Sequence, residues 1–173
     1  MAEHNKAEEP RYPMNAVHLM RTVQLAQLQL SAMADTKANI VMGATFVIFT
    51  ITIGQASGAT APLPLLILGG AAFFSAIFAV LAVLPATRSR EPIDHANLLF
   101  FGVFSQLDED EFVDRLMARL SSDDSVYRTM ARDIHQAGSV LNNKKYRFLG
   151  YAYRILLAGL VASGLAYVIL YLT

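Results

Sequence analysis

The chain has no cysteine among its 173 residues, which removes disulfides, thiolate zinc sites and cysteine nucleophiles together and leaves the redox state of its compartment unread. Charge is also scarce. Asp, Glu, Lys and Arg make up 16% of the residues and balance to a formal net charge of zero, so charge names no partner and no nucleic acid is expected. A phosphate-binding glycine loop, an HExxH pair and a Gly-x-Ser-x-Gly nucleophile turn are all missing. The histidines, His4, His18, His95 and His135, fall in separate segments without metal-ligand spacing. Internal repeats and low-complexity segments are absent. Together these absences argue against an enzyme and against a metal centre.

A more local absence carries the topology. All 14 Lys and Arg residues lie within residues 1–39 and 85–154, and none falls in the short loop at residues 55–64. Lys and Arg near membrane segments are retained on the cytoplasmic side, so both charged stretches are expected inside and the loop outside. The intervening segments are long enough to cross: about 20 mostly apolar residues, rising about 1.5 Å each, span a hydrocarbon core of roughly 30 Å. Three qualify, at residues 40–57, 63–84 and 148–172, and none contains Asp, Glu or Lys. Arg154 lies near the start of the third, where it can snorkel beside Tyr151 and Tyr153. The expected fold is an all-α integral membrane protein, with three transmembrane helices and a small helical cytoplasmic domain. Its N-terminus is expected on the cytoplasmic side of a bacterial inner (cytoplasmic) membrane and its C-terminus on the periplasmic or outer side. Residues 1–13 form a polar tail without the layout of a cleaved signal peptide, so the first span is expected to stay.

The cytoplasmic body is expected from residues 14–39 and 85–147. Residues 14–39 contain no Gly or Pro, are rich in Ala, Leu, Gln and Met, and predict a helix, begun at Pro13, that runs into the first span. Residues 87–92 read as a linker and residues 94–104 as a compact apolar patch. From Asp108 the pattern is helical, with Phe112, Leu116 and Leu120 every four residues and Val113 and Met117 flanking them, which predicts one buried face. Acidic residues crowd its first turn, where the helix dipole favours them. Ser121-Ser122-Asp123-Asp124 then offers N-cap types for a further helix, with Tyr127, Met130, Ile134, Ala137 and Leu141 in a narrow stripe. That helix can continue directly into the third span.

The polar cluster Ala34-Asp35-Thr36-Lys37-Ala38-Asn39 sits where the first helix enters the bilayer. Asp35 and Asn39 share a helix face, one turn apart, while Lys37 points elsewhere. One reading is an interfacial anchor, with Lys37 snorkelling to headgroups. The other has Asp35 and Asn39 facing the bundle, where a polar group is costly unless partnered and so reports a mechanism. The partners would be Lys144, Lys145 and Arg147, which reach the same membrane level before the third span. Small-residue steps, Gly54 with Gly58, Ala71 with Ser75 and Ala79, and Gly159 with Ser163, permit close packing within one chain or between copies.

Taken as a set, the AD-x-KAN segment at residues 34–39, Asn97-Leu98-Leu99-Phe100-Phe101-Gly102, Phe112 in an acidic helix start, Asp133-Ile134 and Lys145-Tyr146-Arg147 resemble the transmembrane effector family of the Pycsar antiphage systems. The resemblance covers residues 15–172. It implies an effector that responds to cyclic CMP or cyclic UMP, made by a pyrimidine nucleotide cyclase on infection, and impairs the inner membrane so that the infected cell stops growing. No cofactor is implied beyond that ligand. A cyclic mononucleotide needs cations for its phosphate, an aromatic or apolar wall for its base and polar groups for the base edge and ribose. No strand alternation appears, so such a ligand must bind among helices. Lys145 with Tyr146 and Arg147 are the first candidates, with Asn97 for polar recognition. Arg115, Arg119, Arg128 and Arg132 are further phosphate candidates, and Phe100, Phe101 and Tyr127 further stacking candidates. Asp35, Lys37 and Asn39 are expected to couple the ligand to the spans.

A ligand shifts a two-state helix assembly only through differential affinity, and a swing from 1:99 to 99:1 requires about 5.5 kcal/mol. One phosphate contact on one subunit falls short, which favours a homo-oligomer. Two rivals remain at this level: a passive membrane scaffold or partner subunit, and a small channel component. The second is weakened by the lack of a charged ring inside any span.

Overall fold

In the computed structural model the described residues are 12–56, 62–85 and 96–171, and all of their regular structure is helical. The helices are α1 (Ala16–Ala56), α2 (Leu63–Val83), α3 (Phe101–Phe104), α4 (Glu109–Arg119), α5 (Asp123–Val140) and α6 (Arg147–Tyr171), with a π-helical turn, Leu141–Tyr146, joining the last two. Three helical stretches are long and apolar enough to cross a membrane: Ala16–Ala56, Leu63–Val83 and the continuous Asp123–Leu170. The expected linker at residues 87–92, residues 57–61 of the loop at 55–64 and the tail before Tyr12 lie outside the described residues.

The chain divides into two compact units, Met1–Leu28 with Ala86–Gly138, and Gln29–Pro85 with Ser139–Thr173. The second holds the bundle. Its buried stripe on α1 is Ala34, Ala38, Val41, Thr45 and Thr52, at helical spacing. Ala34 and Ala38 pack with Ala82 and Leu149, and Val41 packs with Ala79 and Ala152. A core this rich in alanine lets backbones approach closely, which is how helices associate where lipid removes the hydrophobic drive. Two glycines show how closely. A Cβ on Gly69 would collide with the Thr52 side chain, and one on Gly159 with the Ala71 Cβ. Ser75 Oγ donates to the Ala152 carbonyl at 2.8 Å and Ser163 Oγ to the Pro64 carbonyl at 2.7 Å, so polar groups tie α2 to α6 at two levels. The small-residue steps of the second and third spans therefore work inside one chain. At Gly54 an added Cβ would meet open space.

Helix α1 starts at Ala16, two residues after the expected start, with the Ala16 N–H donating to the Pro13 carbonyl at 2.9 Å. Helix α2 takes Pro64 in its first turn, where a missing N–H has no partner to lose, and closes with Leu84 N–H on the Val80 carbonyl. Helix α5 is capped by Ser122, whose Oγ accepts the Ser125 N–H at 3.3 Å.

In the first unit, Leu98 and Val103 are buried and Phe104 meets Phe112 with ring centroids 5.4 Å apart. The expected buried face of α4 needs correction. Phe112 and Leu116 are half-buried, but Val113, Met117 and Leu120 are 42%, 60% and 52% exposed and no residue of α4 is fully buried. The apolar period forecasts an amphipathic helix; it does not say that a neighbour in the same chain covers the whole stripe. Likewise only part of the apolar patch is internal, because Leu99, Phe101 and Phe104 are exposed.

Candidate functional site

Three helical positions on α1, Ser31, Asp35 and Ala38, follow one another at steps of four and three and so share a face. Opposite them the π turn carries Lys145. Its Nζ donates to both oxygens of Asp35, at 2.8 and 2.7 Å, and to Ser31 Oγ at 2.7 Å. All three ammonium protons are thus engaged, and the Lys145 side chain is only 19% exposed against 36% for Asp35. Ala34 and Ala38, both buried, leave the room that lets the lysine reach α1. Tyr146 stands beside it, its hydroxyl 3.4 Å from the Leu30 carbonyl. The π turn is itself informative. A π-helical segment inserts a residue into an α-helix at the cost of poorer hydrogen bonding, and such turns concentrate at functional sites.

The remaining sequence candidates do not join this centre. Asn39 and Lys37 are exposed. Arg147 is exposed too, with its Nε 3.4 Å from the Tyr151 hydroxyl and its guanidinium 5.9 Å from the centre of that ring. Asn97 belongs to the other unit, where it is 8% exposed. Its amide nitrogen donates to Asp133 at 2.9 Å and its amide oxygen accepts the Leu99 N–H at 3.0 Å. Asp133 also accepts from Gln24 at 3.1 Å, so one carboxylate joins α1, α5 and the turn before α3. Gln27 reaches the Ile134 carbonyl at 3.0 Å, and its Oε1 is buried without a partner. A side chain in place of Gly138 would press on that amide, since a Cβ there would stand 3.1 Å from Gln27 Nε2.

Of the other phosphate candidates, Arg115 pairs with Glu111 at 2.7 Å and Arg128 with Asp124 at 2.6 Å, each one helical turn away. Arg119 and Arg132 are exposed. Tyr127 stacks at a tilt on Tyr12, 4.5 Å between centroids, and Tyr12 also donates to Asp124 at 2.7 Å. Those two hydrogen bonds, from Arg128 and then Tyr12, hold the Asp124 carboxyl below its ordinary value, and the same bond raises Tyr12.

Sequence reading missed Ser31, Gln24 and Gln27. Ser31 was accessible to it, being one turn before Asp35; the two glutamines sit in a helix whose composition gave no reason to single them out. An open groove of about 570 Å³ lies among Ile51, Gln55, Pro64, Leu65, Ser163 and Tyr167, and none of the candidate site residues lines it. Its position among span residues and its apolar lining suit it poorly to a nucleotide.

The same chain, over residues 18–171, matches the family described as the Pycsar effector protein domain, PycTM. The chain belongs to the Pycsar effector family. It is accordingly a membrane effector with a role in Pycsar antiphage defence. No curated protein and no solved structure matches it. In this Pycsar effector the ion pair joins α1 to the π turn that precedes α6, each just before its apolar segment.

Proposed function

We propose that this effector is gated by a cyclic pyrimidine mononucleotide, cyclic UMP or cyclic CMP, and that the gated state impairs the inner membrane and causes abortive infection. The observation that carries the reading is the Asp35–Lys145 pair, closed by Ser31, on the π turn. A phosphate diester carries one negative charge, as the Asp35 carboxylate does. It can take the place of that carboxylate on Lys145 without stranding the ammonium, whereas simple loss of Asp35 would strand it. Arg147, exposed two residues on, supplies a second cation, and Tyr146 an aromatic wall. Exchange of Asp35 for phosphate releases α1 from the third spanning helix. Lys37 and Asn39, exposed on α1 beside the pair, meet the headgroup region on either side of this change. Asn97, in the other unit, has both ends of its amide engaged, by Asp133 and by the Leu99 N–H.

In this proposal the N-terminus and the segment between the second and third spans are cytoplasmic, as the Lys and Arg distribution favours. Several copies act together, because one phosphate contact does not supply the roughly 5.5 kcal/mol that a near-complete switch requires. Purified protein in dye-loaded liposomes, challenged separately with cyclic UMP, cyclic CMP, cyclic AMP and cyclic GMP, tests it. Release confined to a cyclic pyrimidine is the expected result. Silence from correctly inserted protein would instead favour a passive scaffold.

A further inference from the structure

Two apolar stripes of the first unit lie bare, and their charges are opposite. On α1, His18, Arg21, Leu25 and Leu28 follow at steps of three, four and three, so they form one stripe, and all four are exposed, Leu25 and Leu28 at 66% and 67%. On α4, Asp110, Val113, Met117 and Leu120 follow the same steps and are likewise all exposed. The first stripe has a cationic end and the second an acidic end. Asp114 adds to the negative charge around the α4 stripe, whereas Glu111 is paired with Arg115, and Arg21 pairs with no described carboxylate.

A bilayer does not suit either stripe. Helix α1 has 41 residues, about 61 Å at 1.5 Å each, roughly twice what the hydrocarbon core takes, so counting back from Ala56 leaves Leu25 and Leu28 beyond it. Helix α4 is amphipathic, but surface-bound helices carry Lys and Arg on the polar face, and α4 begins Glu109-Asp110-Glu111. The surface of an anionic leaflet would repel it. What fits both stripes is a second copy of the chain. Copies in one bilayer share an orientation, and the two stripes belong to the same unit, so they emerge on the same side of the membrane in every copy.

We infer that the α4 stripe of one copy docks on the α1 stripe of the next, Val113, Met117 and Leu120 covering Leu25 and Leu28, and Asp110 facing Arg21. Such a contact joins unlike surfaces, so it propagates from copy to copy and closes into a ring if the rotation allows. The inference deepens the oligomeric part of the proposed function and rests on that part alone; it requires no nucleotide.

The cysteine-free chain makes the test direct. Full-length Leu28→Cys with one affinity tag and Met117→Cys with another are co-expressed, and their membranes are oxidised without added nucleotide. A disulfide joining the two tags is expected, with neither variant joining itself appreciably. Arg21→Asp in the Leu28→Cys copy should lower the mixed product at least tenfold, and Asp110→Arg in the Met117→Cys copy should restore it. The inference is overturned by the absence of a mixed product, by self-joining that equals it, or by Met117→Cys being shielded from an aqueous maleimide in liposomes that hold single copies. Because no ligand enters, failure here leaves the nucleotide-gating experiment unaffected, and a failure to leak with cyclic pyrimidines leaves this contact standing.

Discussion

Lys145 commits its three protons to Asp35 and Ser31, and a charge so placed is costly to leave alone. Hydrogen bonds to charged groups contribute about 1.5 to 3 kcal/mol, and partial exposure of Asp35 puts this pair toward the lower end. A loss of that size changes a two-state population by roughly 10- to 150-fold. Asp35→Ala should therefore leak dye without any ligand and gain little from cyclic pyrimidines, while inserting normally. Lys145→Ala should lose ligand response as well, since the phosphate then lacks its cation. The exchanged double variant, Asp35→Lys with Lys145→Asp, should return the liposomes to tightness yet stay unresponsive; leakage equal to Asp35→Ala would remove the pair from the gating scheme. A second residue-scale prediction concerns acid. Asp124 is held below its ordinary value of 3.8 by Arg128 and Tyr12. A lowered carboxyl contributes stability that is complete above that ordinary value and lost as pH falls through the depressed one. The Tyr12 ring resonance in ¹³C-tyrosine protein should thus hold steady from neutral pH down to about 4 and move only below it. Asp124→Asn should abolish that transition, and a transition centred above 4 in the unaltered protein would contradict the assignment.

At the scale of the helix, the π turn and the glycine contacts carry separate predictions. A π turn is one inserted residue, so deleting Asn143 should restore α-helical bonding between α5 and α6 and re-phase the end of α5 by about 100° relative to Lys145. The Asp35–Lys145 pair lies on the far side of that change and should survive. The expected deletion variant is tight in liposomes and deaf to ligand; a normal response would mean that the turn plays no part in transmission. Gly159→Ala should loosen α2 from α6, because its Cβ would collide with that of Ala71, and such overpacking costs about 1 to 3 kcal/mol. Ala71→Gly in the same chain should recover most of the loss in detergent unfolding curves. These contacts also show what helix-level reading can reach. The three apolar runs were readable because span length and absence of charge are local properties, and α2 begins at the predicted residue. The partner of Gly159 was not readable, since a small-residue step looks the same whether it faces its own chain or another. For the same reason the period of α4 announced a stripe without announcing that it would be left bare.

For the molecule as a whole, the polar clusters of the first and third membrane helices illustrate a similar division. Their meeting could be anticipated from topology, because Asp35 and Lys145 both precede their apolar runs from the same side. Which member of each cluster would engage could not, for that depends on the phase set by an inserted residue in the π turn; Asn39 and Arg147 remained outside, and Ser31 entered. If release needs several copies, its initial rate at saturating cyclic pyrimidine should rise more steeply than in proportion to the protein-to-lipid ratio, because active assemblies form at a power of the surface concentration. Arg21→Asp should shift that curve to higher protein density while leaving its plateau unchanged, since the Asp35–Lys145 pair and the spans are untouched. A strictly proportional rate, the same in both proteins, would instead assign membrane damage to single chains acting alone.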